Sequence, residues 1–116
     1  MVGIKFAYAA RGYDYAGAIE RVAGDEELLR SLLDMFAADK SYAQLMSALD
    51  ALDTDEGFRA AHSIKGSSGM LGMTGLFEAA KKITEPLRGG SIEEALKYRA
   101  DVEREYAAAI GMIESL

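Results

Sequence analysis

The 116 residues include no cysteine, no tryptophan, one proline and one histidine. Without cysteine there is no disulfide framework, no thiol nucleophile and no thiolate site for zinc or an iron–sulfur cluster, and one histidine cannot build a multi-histidine metal centre. Basic residues are also in deficit: 13 Lys and Arg stand against 19 Asp and Glu, a net charge of −6. Such a chain repels nucleic-acid phosphates and anionic lipid unless its cations cluster, and here they are dispersed. Long apolar runs are missing too. The longest uncharged stretch, residues 66–77, is interrupted by glycines and falls short of the roughly 20 apolar residues that span a bilayer. Phe6 to Ala10 is shorter than the apolar core of a secretory signal, about 7–15 residues. Residues 1–13 therefore read as an unpatterned lead on a cytoplasmic protein. Residues 14–116 read as one domain, because a chain of this size buries roughly 65% of its unfolded surface without covalent help.

What the chain does have is a helical period, with half its residues hydrophobic. Asp14 can cap a short helix carrying Ile19 and Val22, ended by Gly24 and placed as a lid. Asp25 opens a stripe of Leu28, Leu29, Leu32, Leu33 and Phe36. The stripe lapses at Asp39-Lys40, and a capping box of Ser41 and Gln44 precedes Tyr42, Leu45, Met46, Leu49 and Leu52. Asp53 with Glu56 opens a helix over residues 54–71, which Gly72 ends. Leu76, Phe77, Ala80, Ile83 and Leu87 follow, closed by Pro86 and Gly89-Gly90. Ser91 with Glu94 then starts one long helix to the C-terminus. Helices of this length on short turns lie antiparallel to their neighbours. The expected fold is an all-α antiparallel up-and-down four-helix bundle with a short N-terminal accessory helix, and a monomer, since no second apolar face is left over.

His62 is the one residue here with nucleophilic or ligating imidazole chemistry. On a helical wheel with His62 at zero, Lys65 falls at about −60°, Gly66 at about +40° and Gly69 at about −20°, with Ile64 and Leu71 near the opposite side. The imidazole thus points away from the core. A solvated surface histidine is the ordinary interpretation of such a residue, but Gly66 and Gly69 share its face and each costs a helix about 1 kcal/mol relative to Ala. Bare backbone beside an outward imidazole clears an approach for a reacting group carried by another protein. Lys65, one turn on, can offer its ammonium to a phosphoryl group on that ring. Phe58, Arg59 and Met70 fall on the same side, at about −40°, +60° and +80°, and with Gly69 are candidate partner contacts. Ser67 and Ser68 point toward helix packing and receive no chemical role.

The stretch Ala61-His62-Ser63-Ile64-Lys65-Gly66-Ser67-Ser68-Gly69-Met70-Leu71-Gly72 resembles the signature of histidine-containing phosphotransfer (HPt) domains: His, then Lys-Gly at i+3 and i+4, and Gly at i+7 and i+10. Gly24-Asp25-Glu26-Glu27-Leu28-Leu29 resembles the opening of the second helix in that family, and the order of helices is similar from about Asp14 to Leu116. Phe58 to Gly66 also resembles the phosphotransfer domain of chemotaxis histidine kinases, although the segment from Asp14 to Asp25 is closer to stand-alone or hybrid-kinase HPt domains. The resemblance implies a phosphocarrier with no kinase activity of its own. His62 would take a phosphoryl group from an aspartate of a receiver domain, or from a histidine kinase system, and pass it to another receiver. Lys65 would stabilise the phosphoryl oxygens and Gly66 would give access. The chain itself would bind no cofactor, with Mg²⁺ on the receiver.

Other chemistries lack their patterns. There is no Gly-x-x-x-x-Gly-Lys-Ser/Thr loop for a nucleotide, and no nucleophile turn or oxyanion hole for a hydrolase. The dimerisation helix of a sensor kinase follows its histidine with an acidic residue and then a proline, which Ser63 to Gly66 do not provide. A haem or metal site pairing His62 with Met70 or Met73 is less economical than methionine as core filler. The principal alternative is a helical adaptor that binds a receiver or another signalling protein without phosphorylation. An adaptor has no use for helix-weakening glycines around an outward imidazole.

Overall fold

The structure, a computed structural model, describes residues 2–116, and among these every regular element is a helix. The elements are α1 (Ile4–Arg11), α2 (Tyr15–Arg21), α3 (Glu26–Ala38), α4 (Ser41–Asp50), α5 (Thr54–Met70), α6 (Thr74–Arg88), α7 (Ile92–Leu96) and α8 (Arg99–Glu114). The all-α expectation holds. Helix α5 packs between α4 and α6, α6 packs on α8, and α8 reaches α3, in a body 40 × 23 × 21 Å across. No helix among the described residues is long and apolar enough to cross a membrane.

Helix α5 begins where the sequence places it. The Asp53 carboxylate accepts from the Glu56 N–H at 3.1 Å, and Asp55 and Glu56 set negative charge against the positive end of the helix dipole. Apart from Ile64, its buried face is made of small residues, Gly57, Ala60, Ala61 and Ser68, which lets both neighbours come close. A methyl group on Gly57 would stand 3.1 Å from a Leu87 methyl of α6 and 3.7 Å from Ala48 of α4. Around this thin face the bulk comes from the other helices: Leu45 and Leu49, Leu76, Ile83 and Leu87, Leu29 and Leu33, and Val102. Two buried hydroxyls are satisfied inside their own helices. Ser68 donates to the Ile64 carbonyl and Thr84 to the Ala80 carbonyl, each at 2.6 Å.

Several sequence expectations need correction. Residues 1–13 are no unpatterned lead: they contain α1, so there are two accessory helices rather than one. Ile4, Ala7 and Tyr8, spaced i, i+3, i+4, are buried, and Tyr8 is wholly enclosed. Ser41 does not cap α4. The helix starts one residue earlier than expected, with Lys40 at the N-cap and Ser41 as its first residue; the Asp39 carboxylate accepts from the Ser41 N–H at 2.8 Å, and the Ser41 hydroxyl turns to Ser63 of α5 at 3.1 Å. Ser91 occupies the N-cap of α7 with no side-chain bond to the helix. The long C-terminal helix is broken into α7 and α8 by a turn at Lys97-Tyr98. Pro86 does not end α6 but lies within its last turn, the chain turning only at Gly90, where φ is +76°.

The accessory helices are stitched to the α5–α6 turn. The Tyr8 hydroxyl donates to the Leu71 carbonyl at 2.7 Å, the Asp14 N–H to the Gly72 carbonyl at 2.9 Å, and Thr74 Oγ1 to the Gly12 carbonyl at 3.2 Å. Gly72 has φ of +72°, and its bare α-carbon faces the Asp14 backbone, so only glycine fits this crossing. At the far end of α1 the Val2 N–H donates to the Ser115 carbonyl at 3.1 Å.

The tyrosines make this packing sensitive to alkali. Burial, then the neighbouring Tyr13 and Tyr15 hydroxyls, push the Tyr8 phenol well above its ordinary range, and burial raises Tyr13 and Tyr106 as well. The unfolded phenols ionise near pH about 10, where the folded ones stay protonated. The folded state therefore holds more protons, its full stability is present below that pH, and it is lost as pH rises beyond it. Denaturation midpoints at about pH 8 and about pH 11 should fall steeply between the two, and a flat profile would show that these hydroxyls ionise freely in the folded state.

Candidate functional site

The 3.6-residue period of α5, with Ala61 and Ile64 turned inward, leaves His62 and Gly66 on the exposed face and Lys65 partly covered at its edge. The His62 ring stacks on Phe58, one turn earlier, with ring centres 5.6 Å apart and planes 23° from parallel. On the other side, at i+4, Gly66 is bare. A methyl group placed there would meet nothing within 4 Å. The histidine thus has an aromatic neighbour on one flank and open space on the other.

Gly69 has a different reason to be glycine. A methyl group on it would come to 3.0 Å from the Phe77 ring of α6, so this position serves the close approach of two helices rather than access to the imidazole. The two glycines should therefore answer alanine in opposite senses. Gly66→Ala should raise stability by about 1 kcal/mol, the ordinary propensity gain, while Gly69→Ala should lower it by about 1–2 kcal/mol through overpacking. Chemical denaturation of the pair checks this, and a destabilised Gly66→Ala would mean that the position is needed inside the fold.

Beyond Gly66 the face opens into a groove of about 550 Å³ between α2, α5 and α6, walled by Arg21, Lys65, Gly66, Gly69, Met70 and Phe77. Lys65 makes no ion pair among the described residues. Arg21 donates to the Gly69 and Met70 carbonyls at 3.2 and 2.9 Å, placing positive charge at the C-terminal end of the helix that carries the histidine. Met70 is 46% exposed. Arg59 lies apart from this groove, its guanidinium held by the Glu56 carboxylate at 2.8 Å, which also raises its pKa.

Of the residues singled out in the sequence, the fold joins Phe58 to His62, and Lys65, Gly66, Gly69 and Met70 along the groove. It ties Arg59 to Glu56. Two residues escaped notice. Arg21 and Arg88 both come from last turns of other helices, and Arg88 places its guanidinium carbon 5.0 Å from the centre of the Phe58 ring. A basic residue in a last turn is so ordinary that its sequence position carries no signal of such a contact.

A comparison against protein-family models matches the Hpt domain over residues 27–111, the stretch from the first turn of α3 to near the end of α8. Comparison with curated proteins and with solved structures gives no match.

Proposed function

The chain belongs to the Hpt domain family, whose members carry phosphoryl groups in two-component signalling, and from that premise we propose that His62 is its phosphoacceptor, loaded from an aspartyl phosphate of a receiver domain or from a histidine kinase system and unloaded onto another receiver. The observation that carries the proposal is the flank of His62. The imidazole is exposed, and one turn on in its own helix stands a glycine whose added methyl group would meet nothing within 4 Å among the described residues. A helix accepts that weakness to good effect when a second protein must bring a reacting group to the ring.

The transfer needs little from this chain. A water-exposed imidazole in its neutral form offers a ring-nitrogen lone pair to an electrophile without a buried base beside it. The lone pair of Nε2 attacks phosphorus, the bond from phosphorus to the aspartyl oxygen breaks, and the carboxylate leaves with the electron pair. Nδ1 keeps its proton through the attack. The product is a phosphoramidate, and the same steps reversed deliver the group to a second aspartate. Lys65, partly buried and free of any carboxylate among the described residues, can donate N–H bonds to the negatively charged phosphoryl oxygens as the group settles on the imidazole. Mg²⁺, held by the receiver, would offset phosphoryl charge from the other side. Met70, beside the groove, is the apolar surface we assign to receiver contact. Gly69 supports that surface from below, while Arg59, held by Glu56 apart from the groove, is a separate candidate contact.

Receiver domains bearing labelled aspartyl phosphate and Mg²⁺ test this directly. The label should pass to the chain and be lost in acid yet survive alkali, as a phosphoramidate does and a phosphoester does not. No transfer from any receiver that binds the folded chain would leave an adaptor.

A further inference from the structure

An exposed histidine can turn freely about both of its side-chain torsions, and an imidazole that must meet a phosphorus atom in line loses rate for every orientation that misses. The ring of His62 is not free in this way. It lies on Phe58, and Phe58 in turn is covered by Arg88, whose guanidinium reaches across from the last turn of α6 while the Glu85 carboxylate, 3.6 Å away, tethers it. Cation, aromatic ring and imidazole are thus in contact in that order, with Phe58 at i−4 supporting one flank of the histidine and Gly66 at i+4 leaving the other open.

We propose that Phe58 and Arg88 are positioning residues for His62, the guanidinium clamping the aromatic ring and the ring holding the imidazole in one orientation before a receiver arrives. This rests on His62 as the phosphoacceptor. It gives Phe58 a role different from the partner contact expected of it in the sequence, and gives Arg88 a role no motif assigns. The physical basis is twofold. A cation over an aromatic face holds that ring against rotation, and an aromatic partner at i−4 sits where a helix naturally places it beside the residue one turn on. Ordering the imidazole in the free protein removes that cost from the encounter, so the stack acts on rate and not on affinity.

Four variants test it. Phe58→Leu keeps apolar bulk but loses the ring face, Phe58→Tyr keeps the face, Arg88→Gln loses the cation and Arg88→Lys keeps it. Helical circular dichroism verifies the fold in each. Phe58→Leu and Arg88→Gln should slow the maximal transfer rate by about three- to tenfold, with the half-saturating receiver concentration unchanged, and Tyr and Lys should restore most of the rate. In the free chain, NMR signals of the His62 ring protons should move toward those of an unstructured histidine in Phe58→Leu, and part of the way in Arg88→Gln. Unmoved ring signals in folded Arg88→Gln would overturn the clamp. So would a loss that appears only as a raised half-saturating concentration, which would make Phe58 a receiver contact. If the native chain takes no label, the phosphoacceptor assignment fails, while the ring signals still decide whether the clamp exists.

Discussion

Replacing His62 with Gln should abolish acceptance of the phosphoryl group, a loss of at least about a thousandfold, while the chain stays folded and binds its receiver as before. The carboxamide nitrogen of Gln shares its lone pair with the carbonyl and has none to offer phosphorus, so the attacking atom is gone and nothing nearby replaces it. The fold should hardly register the change. His62 is exposed and forms no part of the buried core, and substitutions at such positions usually fall within about 0.5 kcal/mol. Transfer, receiver affinity and chemical denaturation measured side by side separate the possibilities. A variant that keeps its full signalling activity would show that the bundle works as an adaptor through its rim alone.

The second large effect is predicted far from the imidazole, in α1. Tyr8→Ala should cost about 3–5 kcal/mol, the range for emptying a fully buried aromatic site. Tyr8 is completely enclosed, meets Tyr13 and Tyr15 edge-on at 5.7 and 5.8 Å, and donates its hydroxyl to the Leu71 carbonyl at the end of α5. Tyr8→Phe should cost only about 1 kcal/mol, the value of one hydrogen bond. Urea denaturation of the two variants gives both numbers. A loss below about 1 kcal/mol for Tyr8→Ala would mean that α1 is not docked on the helices in solution.

How much of this was legible in the sequence depends on how local the cause is. Helix α5 was readable at both ends, because Asp53 caps it through a residue three positions on and Gly72 supplies the positive φ at its exit. The exposure of His62 followed from helical period alone. Helix α1 was not readable: its three buried residues do have helical spacing, but the segment is short and bracketed by Gly3 and Gly12, and what makes it helical is the tertiary pocket around Tyr8. The turn at Lys97-Tyr98 carries neither Gly nor Pro, so the apolar stripe ran across it unbroken. Gly66 and Gly69 look alike in sequence, and only the ring of Phe77 beside one of them tells them apart. The stack of Arg88 on Phe58 joins residues on separate helices, and no pattern along the chain encodes that meeting.

The bond from the Val2 N–H to the Ser115 carbonyl has a consequence for topology. It brings Val2 and Ser115, near opposite ends of the described residues, within one hydrogen bond of each other, so a linker of a few residues can join these two positions. New termini can then open at Gly89-Gly90, an exposed turn outside the helix that carries the histidine. By the same geometry the whole bundle can be spliced into a surface loop of another protein as a single insert, entering and leaving at one point, with the helix that bears the imidazole untouched by the junction.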